Sequence, residues 1–319
     1  MNDTLRYRGD GSPPAGKKGS PYPYLADDSL VNAVNVAIHL NRPLLVKGPP
    51  GSGKTALAYA LAHELGLELY PWYVKSTSRA RDGLYTIDMV RRLQDAQLND
   101  PRAQRLTPYI RFGPLGEALR RRGPSVVLID EIDKADIDFP NDLLRELDER
   151  RFTIEELDEA ELTGEERTAG WRATYGRPRG GKPSRNDPRP IVIITSNDEK
   201  DLPDAFLRRC VFHYIRFPDV ERLQQIVRVN TREDGLELDQ ALVEAAVAWL
   251  LELRKVEGVS KKPEPSELID WVRVLHAWEV DVTTLRDTAR AAELPHLEVL
   301  YKHQGDLVRL GDDQPVPAA

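Results

Sequence analysis

The stretch Gly48-Pro49-Pro50-Gly51-Ser52-Gly53-Lys54-Thr55 matches the pattern G-x-x-x-x-G-K-[ST] at every fixed position. Before it, Leu44-Leu45-Val46 is a short apolar run that reads as a buried strand; after it, Thr55-Ala56-Leu57-Ala58-Tyr59-Ala60-Leu61 reads as a helix. Glycines in such a loop let the backbone wrap a chain of phosphates, so that successive N–H groups and the helix N-terminus face anionic oxygens. Pro50, Gly51, Ser52, Gly53, Lys54, Thr55 and Ala56 are therefore the expected phosphate-binding residues. Lys54 is placed to reach the β and γ phosphates, and the Thr55 hydroxyl to bind Mg²⁺. These residues read as a nucleoside triphosphate site.

Outside this loop, composition sets bounds. The chain has 319 residues, enough for one large and one small domain, with 40% apolar and 30% charged residues, as in a globular protein with a much-charged surface. A net charge of −7 argues against a general nucleic-acid-binding surface. Cys210 is the single cysteine, so no intrachain disulfide can form and a reducing compartment is expected. The longest apolar runs, such as Val126-Val127-Leu128-Ile129, are too short to cross a bilayer, and the N-terminus lacks an apolar signal core. These features read as a cytoplasmic protein with no membrane partner.

Residues 1–24 are rich in Gly and Pro and read as a flexible lead-in. Asp28 or Ser29 is the expected cap of a helix running to Leu40. Leu67 to Val74 and Ser125 to Ile129 read as strands, as do Ile191 to Thr195 and Val211 to Ile215. Between the first two of these, Thr86–Leu98 and Leu115–Arg122 are the helical candidates, and Asp142–Arg150 is another further on. An acidic and then basic, Gly/Pro-rich stretch at about 155–189 reads as an insertion, disordered beyond a first hairpin arm at Phe152–Ile154. From Pro218 onward only helical patterns occur. The expected organisation is a parallel α/β nucleotide-binding domain over 25–218, a helical lid over 219–310, and a tail at 311–319.

Two strand ends carry chemistry. Val126-Val127-Leu128-Ile129 runs into Asp130-Glu131, which puts two carboxylates at the carboxyl edge of the sheet, where such sheets bind ligands. Asp130 is expected to hold Mg²⁺, directly or through water, and Glu131 to polarise the water that attacks the γ-phosphorus. Ile191-Val192-Ile193-Ile194-Thr195-Ser196 ends at Asn197, whose amide can orient that water or meet the γ-phosphate. Taken alone, Asn197 merely starts a turn with Asp198. The six histidines lack metal-ligand spacing and read as structural.

Together, Gly48–Thr55, Asp130–Glu131, Asn197 and Asp204-Ala205-Phe206-Leu207-Arg208-Arg209-Cys210 resemble an AAA+ ATPase. Finer features resemble its MoxR branch, and within it the CoxD-like members: Val31-Asn32-Ala33-Val34, Lys75-Ser76-Thr77-Ser78-Arg79, Asp130-Glu131-Ile132-Asp133-Lys134-Ala135, Asn141-Asp142-Leu143-Leu144 and Leu202-Pro203-Asp204-Ala205. The resemblance covers residues 22–305. It implies a P-loop NTPase fold with a five-stranded parallel sheet in the order 5-1-4-3-2. It also implies ATP bound between protomers of a ring, usually a hexamer, and an arginine supplied to the neighbour's γ-phosphate. Arg209 matches that arginine best, with Arg208 second. The lid departs from the pattern: Pro265-Ser266-Glu267-Leu268 stands where relatives often carry a nucleotide-contacting arginine, and the first arginine after it is Arg273.

The resemblance implies Mg²⁺-dependent ATP hydrolysis that remodels or matures a protein client, with a partner bearing a von Willebrand factor A domain and metalloenzyme maturation as the role. A conflict or defence system and a nucleic-acid motor are the alternatives. The acidic balance counts against the motor. A small-molecule phosphotransferase ranks last, because a water-activating Glu131 favours water as acceptor.

Overall fold

In the computed structural model, residues 5–10, 24–121, 123–177, 187–233 and 236–312 are described. The remaining parts of the expected lead-in, insertion and tail, and Arg122, lie outside them. The described residues divide into two units, 5–10, 26–47 and 54–214 in the first, and 24–25, 48–53 and 215–312 in the second.

The first unit is built on a five-stranded sheet of β1 (Leu44–Lys47), β2 (Leu69–Tyr73), β3 (Gly123–Asp130), β4 (Pro188–Ser196) and β5 (Val211–Tyr214). Its order is β2-β3-β4-β1-β5, which is 5-1-4-3-2 read from the other edge. All four ladders are parallel. Parallel strands are covered on both faces and so read as continuous apolar runs. Val126–Ile129 and Leu44–Val46 are accordingly buried throughout. The register positions the strand ends: Ile129 lies opposite Ile194, and Lys47 opposite Ser196, so the carboxyl ends of β3, β4 and β1 finish side by side.

Helices α1 (Asp28–Leu40), α2 (Lys54–Leu65) and α3 (Pro114–Arg120) belong to this unit. The cap of α1 is Asp27, one residue before the expected position: its backbone is extended and its carboxylate accepts the Leu30 N–H. α3 approaches the chain at Leu84 so closely that a Cβ on Gly116 would stand 1.9 Å from the Leu84 carbonyl oxygen. Only glycine fits there.

Three expectations are corrected. Residues 5–10 are ordered: Tyr7 is buried, Asn35 brackets its backbone on both sides, and Glu64 on α2 accepts the N–H groups of Arg8 and Gly9. Thr86–Leu98 is not one helix, because the β-prone Tyr85–Ile87 pairs antiparallel with Ile110–Phe112 and the helix begins only at Met89, capped by Asp88. The insertion is ordered through Gly176. Arg151–Thr153 pairs with Thr174–Gly176, and Thr163 and Glu166 form a capping box on the short helix Gly164–Thr168. Phe112 packs against Trp171 and Tyr175 at ring-centroid distances of 5.6 and 5.2 Å, and this aromatic burial offsets the ordering entropy of a composition that looks mobile.

The second unit is helical: α4 (Val220–Glu233), α5 (Gln240–Lys255) and α6 (Pro265–Ala277) surround Leu250, Trp271, Val272 and Leu275, all fully buried. The Trp271 indole N–H donates to the Pro295 carbonyl at 2.8 Å, which satisfies its one polar atom inside the core. Toward the end of this unit the chain forms the helix Val282–Asp287 and a separate turn at Ala291–Glu293. Among the described residues no helix is long and apolar enough to cross a membrane.

Candidate active site

Asp130, the last residue of β3, is almost buried, and its Oδ1 accepts two hydroxyl hydrogen bonds: from Thr55 Oγ1 at 2.8 Å and from Thr195 Oγ1 at 2.7 Å. Thr55 comes from the start of α2 and Thr195 from the end of β4, so three elements meet on one carboxylate oxygen. The Thr195 hydroxyl also accepts the Glu131 N–H at 2.8 Å. Being both donor and acceptor, it links Asp130, at the end of β3, to Glu131, the residue after it.

Glu131 turns away from the strand with φ +57°, a left-handed conformation that is uncommon for a residue with a side chain. Such strain persists only where the surroundings fix it, and functional sites are where it clusters. Its carboxylate is engaged on both oxygens: the Asn197 amide donates to Oε1 at 3.0 Å, and Lys134 donates to Oε2. That bond to Glu131 is what raises the Lys134 ammonium above its ordinary pKa. Glu131 remains 34% exposed, so water reaches it.

The structure thus joins Thr55, Asp130, Glu131 and Asn197 in one circuit, and adds Thr195 and Lys134, which sequence reasoning passed over. A hydroxyl at the end of an otherwise apolar strand was the available signal for Thr195. Lys54 is buried and opens α2. Ala56 is exposed on the first turn of the same helix. In the loop before it, Gly51 and Gly53 take φ +77° and +86°, a region open to glycine, as wrapping a phosphate chain requires. Ser52 Oγ is buried there with no hydrogen-bond partner among the described residues. An orphaned hydroxyl at that point fits an anionic ligand, and the Thr55 and Asp130 oxygens are the hard donors that Mg²⁺ takes.

Arg208 and Arg209 do not join this circuit. Arg208 is exposed, while Arg209 donates to Asp148 Oδ2 at 2.7 Å and to the Ala205 carbonyl at 2.8 Å. Cys210 beside them has its thiol pushed up to about 12, first by burial and then by the Asp148 charge, so it is no nucleophile near neutral pH. Arg273 in the second unit pairs with Asp270, and Ser266 lies against the loop glycine instead: a Cβ on Gly51 would stand 2.6 Å from Ser266 Oγ. Among the described residues no group of three or more His, Cys, Asp or Glu side chains is arranged to hold a metal.

Residues 42–173 match the family of AAA domains of the Cdc48 subfamily. Relatives include the chaperone protein ClpB of Lactiplantibacillus plantarum, 35% identical over 142 residues, and ClpB 1 of Nostoc sp., 35% identical over 144 residues; each match covers 40% of this chain and 15% of the relative. The ClpB protein of Chlamydia caviae is 37% identical over 139 residues, covering 42% of this chain and 15% of its own length. The chain therefore spans about a seventh of the length of these curated relatives. Over residues 42–173 the chain is thus similar to AAA domains.

Proposed function

We propose that the chain binds ATP with Mg²⁺ and hydrolyses it as an oligomeric AAA+ motor acting on a protein client. The observation that carries this reading is the circuit Thr55–Asp130–Thr195–Glu131–Asn197, which ties the phosphate-binding helix to both strand-end acids and to the amide beside them. Pro50 to Ala56 cradle the polyphosphate, and Lys54 draws its β and γ groups. Thr55 and Asp130 hold Mg²⁺, whose charge neutralises that developing on the phosphates. Glu131 takes the proton of the attacking water, and Asn197 orients that water from the other side of the carboxylate. Arg209, or Arg208 beside it, reaches the nucleotide of a neighbouring protomer.

A protein client is supported by the relatives, whose names describe chaperones. The MoxR resemblance, CoxD-like in its details, narrows this to a cytoplasmic hexameric ring that matures a metalloenzyme together with a von Willebrand factor A domain protein. Binding is tested by calorimetry with ATP and Mg²⁺: the unaltered chain binds, and Lys54→Ala does not. Chelating Mg²⁺ with EDTA abolishes hydrolysis. Undiminished hydrolysis in EDTA, or ATP binding by Lys54→Ala as tight as that of the unaltered chain, refutes the reading. The client class is tested by co-expression with a von Willebrand factor A domain protein encoded beside this chain, scored by stimulated ATPase activity.

A further inference from the structure

Asp133 is the least exposed acid among the described residues, at 2%. A buried carboxylate normally meets a cation or a metal. Asp133 instead turns Oδ2 toward two backbone N–H groups, those of Asn197 and Glu199, each at 3.0 Å. Its Oδ1 is buried with no hydrogen-bond partner among the described residues. Between the two donors stands Asp198, left-handed at φ +65°, with its own N–H bonded to Ser196 Oγ at 3.1 Å. Amide groups converging on an anion around a left-handed residue make a nest, and here the anion is a side chain of the same protein.

The two ends of this clamp are the two ends of the candidate hydrolytic pair. Asp133 lies in the single turn Ile132–Lys134 that comes directly after Glu131, and the clamped turn begins at Asn197. A rigid link between the segments fixes how the Asn197 amide meets Glu131 Oε1. The clamp acts on backbone N–H groups, so it sets the position of residue 197 whatever its side chain. Water-orienting groups must be held to within fractions of an ångström, and a misplacement of about 1 Å can lower a rate about 100-fold.

We propose that Asp133 is a positioning residue for hydrolysis, clamping the turn that presents Asn197 to Glu131. This rests on the hydrolysis reading of the Glu131 site. Lys47, at the end of β1, holds the same turn through Asp198 at 2.5 Å, but Asp198 is 53% exposed there, so that link is screened and secondary.

The test uses the full chain with Mg²⁺, comparing Asp133→Ala, Asp133→Asn, Asn197→Ala and the two double variants. It reads single-turnover ATP hydrolysis and, by calorimetry, affinity for a non-hydrolysable ATP analogue. Asp133→Ala is expected to slow hydrolysis about 10-fold to 100-fold while affinity stays within about threefold. Asp133→Asn keeps a neutral carbonyl that accepts both N–H groups more weakly, so about a threefold to 10-fold loss is expected. Because Asp133 acts through Asn197, neither change should slow hydrolysis further once Asn197 is alanine. If Asp133→Ala does not fold, the same comparison with Asp133→Asn decides the matter. Losses that multiply with Asn197→Ala, a matching fall in affinity, or a wild-type rate in the Asp133 variants each overturn the proposal. Asn197→Ala hydrolysing at the wild-type rate would instead refute the hydrolysis reading itself.

Discussion

Thr195 makes two bonds that a hydroxyl alone can make at once, donating to Asp130 and accepting from the Glu131 N–H, and it does so with no exposed surface. Valine matches its shape but leaves that N–H without its partner. Thr195→Val is expected to destabilise the chain by about 1–3 kcal/mol, the range for a buried polar group stripped of its partner, read from urea denaturation. A loss below the error of that measurement would show that water replaces the hydroxyl freely. Cys210 gives a second expectation at this scale. With its thiol near 12, almost no thiolate exists at about pH 8, so iodoacetamide should leave it unmodified in the folded chain and label it rapidly in denaturant. The thiolate forms only as pH rises toward that value. Lys54, Thr55, Asp130, Glu131 and Asn197 were legible in the sequence because each sits in a local pattern. Thr195 was not, because its role depends on the register between β3 and β4, which places a residue next to a partner 65 positions away.

The five strands were legible as apolar runs, and the helices that pack on one face were legible by their period. The elements that escaped are those held by distant partners. In the insertion, large apolar residues are sparse and aperiodic, so nothing local marks order. Phe152 is nevertheless buried, stacking on Tyr175 at 5.7 Å within the hairpin and on Tyr85 at 6.1 Å far outside it. Likewise, Glu166 is buried against Thr107. The segment at 5–10 escaped for the same reason, since Asn35 and Glu64 supply the bonds that order it. Phe152→Ala is accordingly expected to cost about 3–5 kcal/mol and to open residues 155–176 to limited proteolysis. Proteolysis unchanged from the unaltered chain would mean that the insertion is held by something other than this aromatic cluster.

At the scale of the whole molecule, the circuit at Asp130 lies within one chain, while Arg209, engaged by Asp148 and Ala205, is proposed to serve a neighbouring copy. Specific ATPase activity should therefore rise with protein concentration as protomers assemble. An arginine supplied in trans is worth about 10³ to 10⁵ in rate in the best-characterised cases. Mixing Glu131→Gln with Arg209→Ala, each inactive alone, should restore activity at interfaces that pair an intact Arg209 with an intact Glu131; co-assembly without recovery would remove Arg209 from the neighbour's site. The proposed role of Glu131 is tested by ATP hydrolysis of Glu131→Gln, measured beside its affinity for ATP. Losing a general base without losing the phosphate site predicts affinity within about threefold of the unaltered chain and hydrolysis slowed about 100-fold or more. Hydrolysis by Glu131→Gln at the unaltered rate would rule Glu131 out as the base.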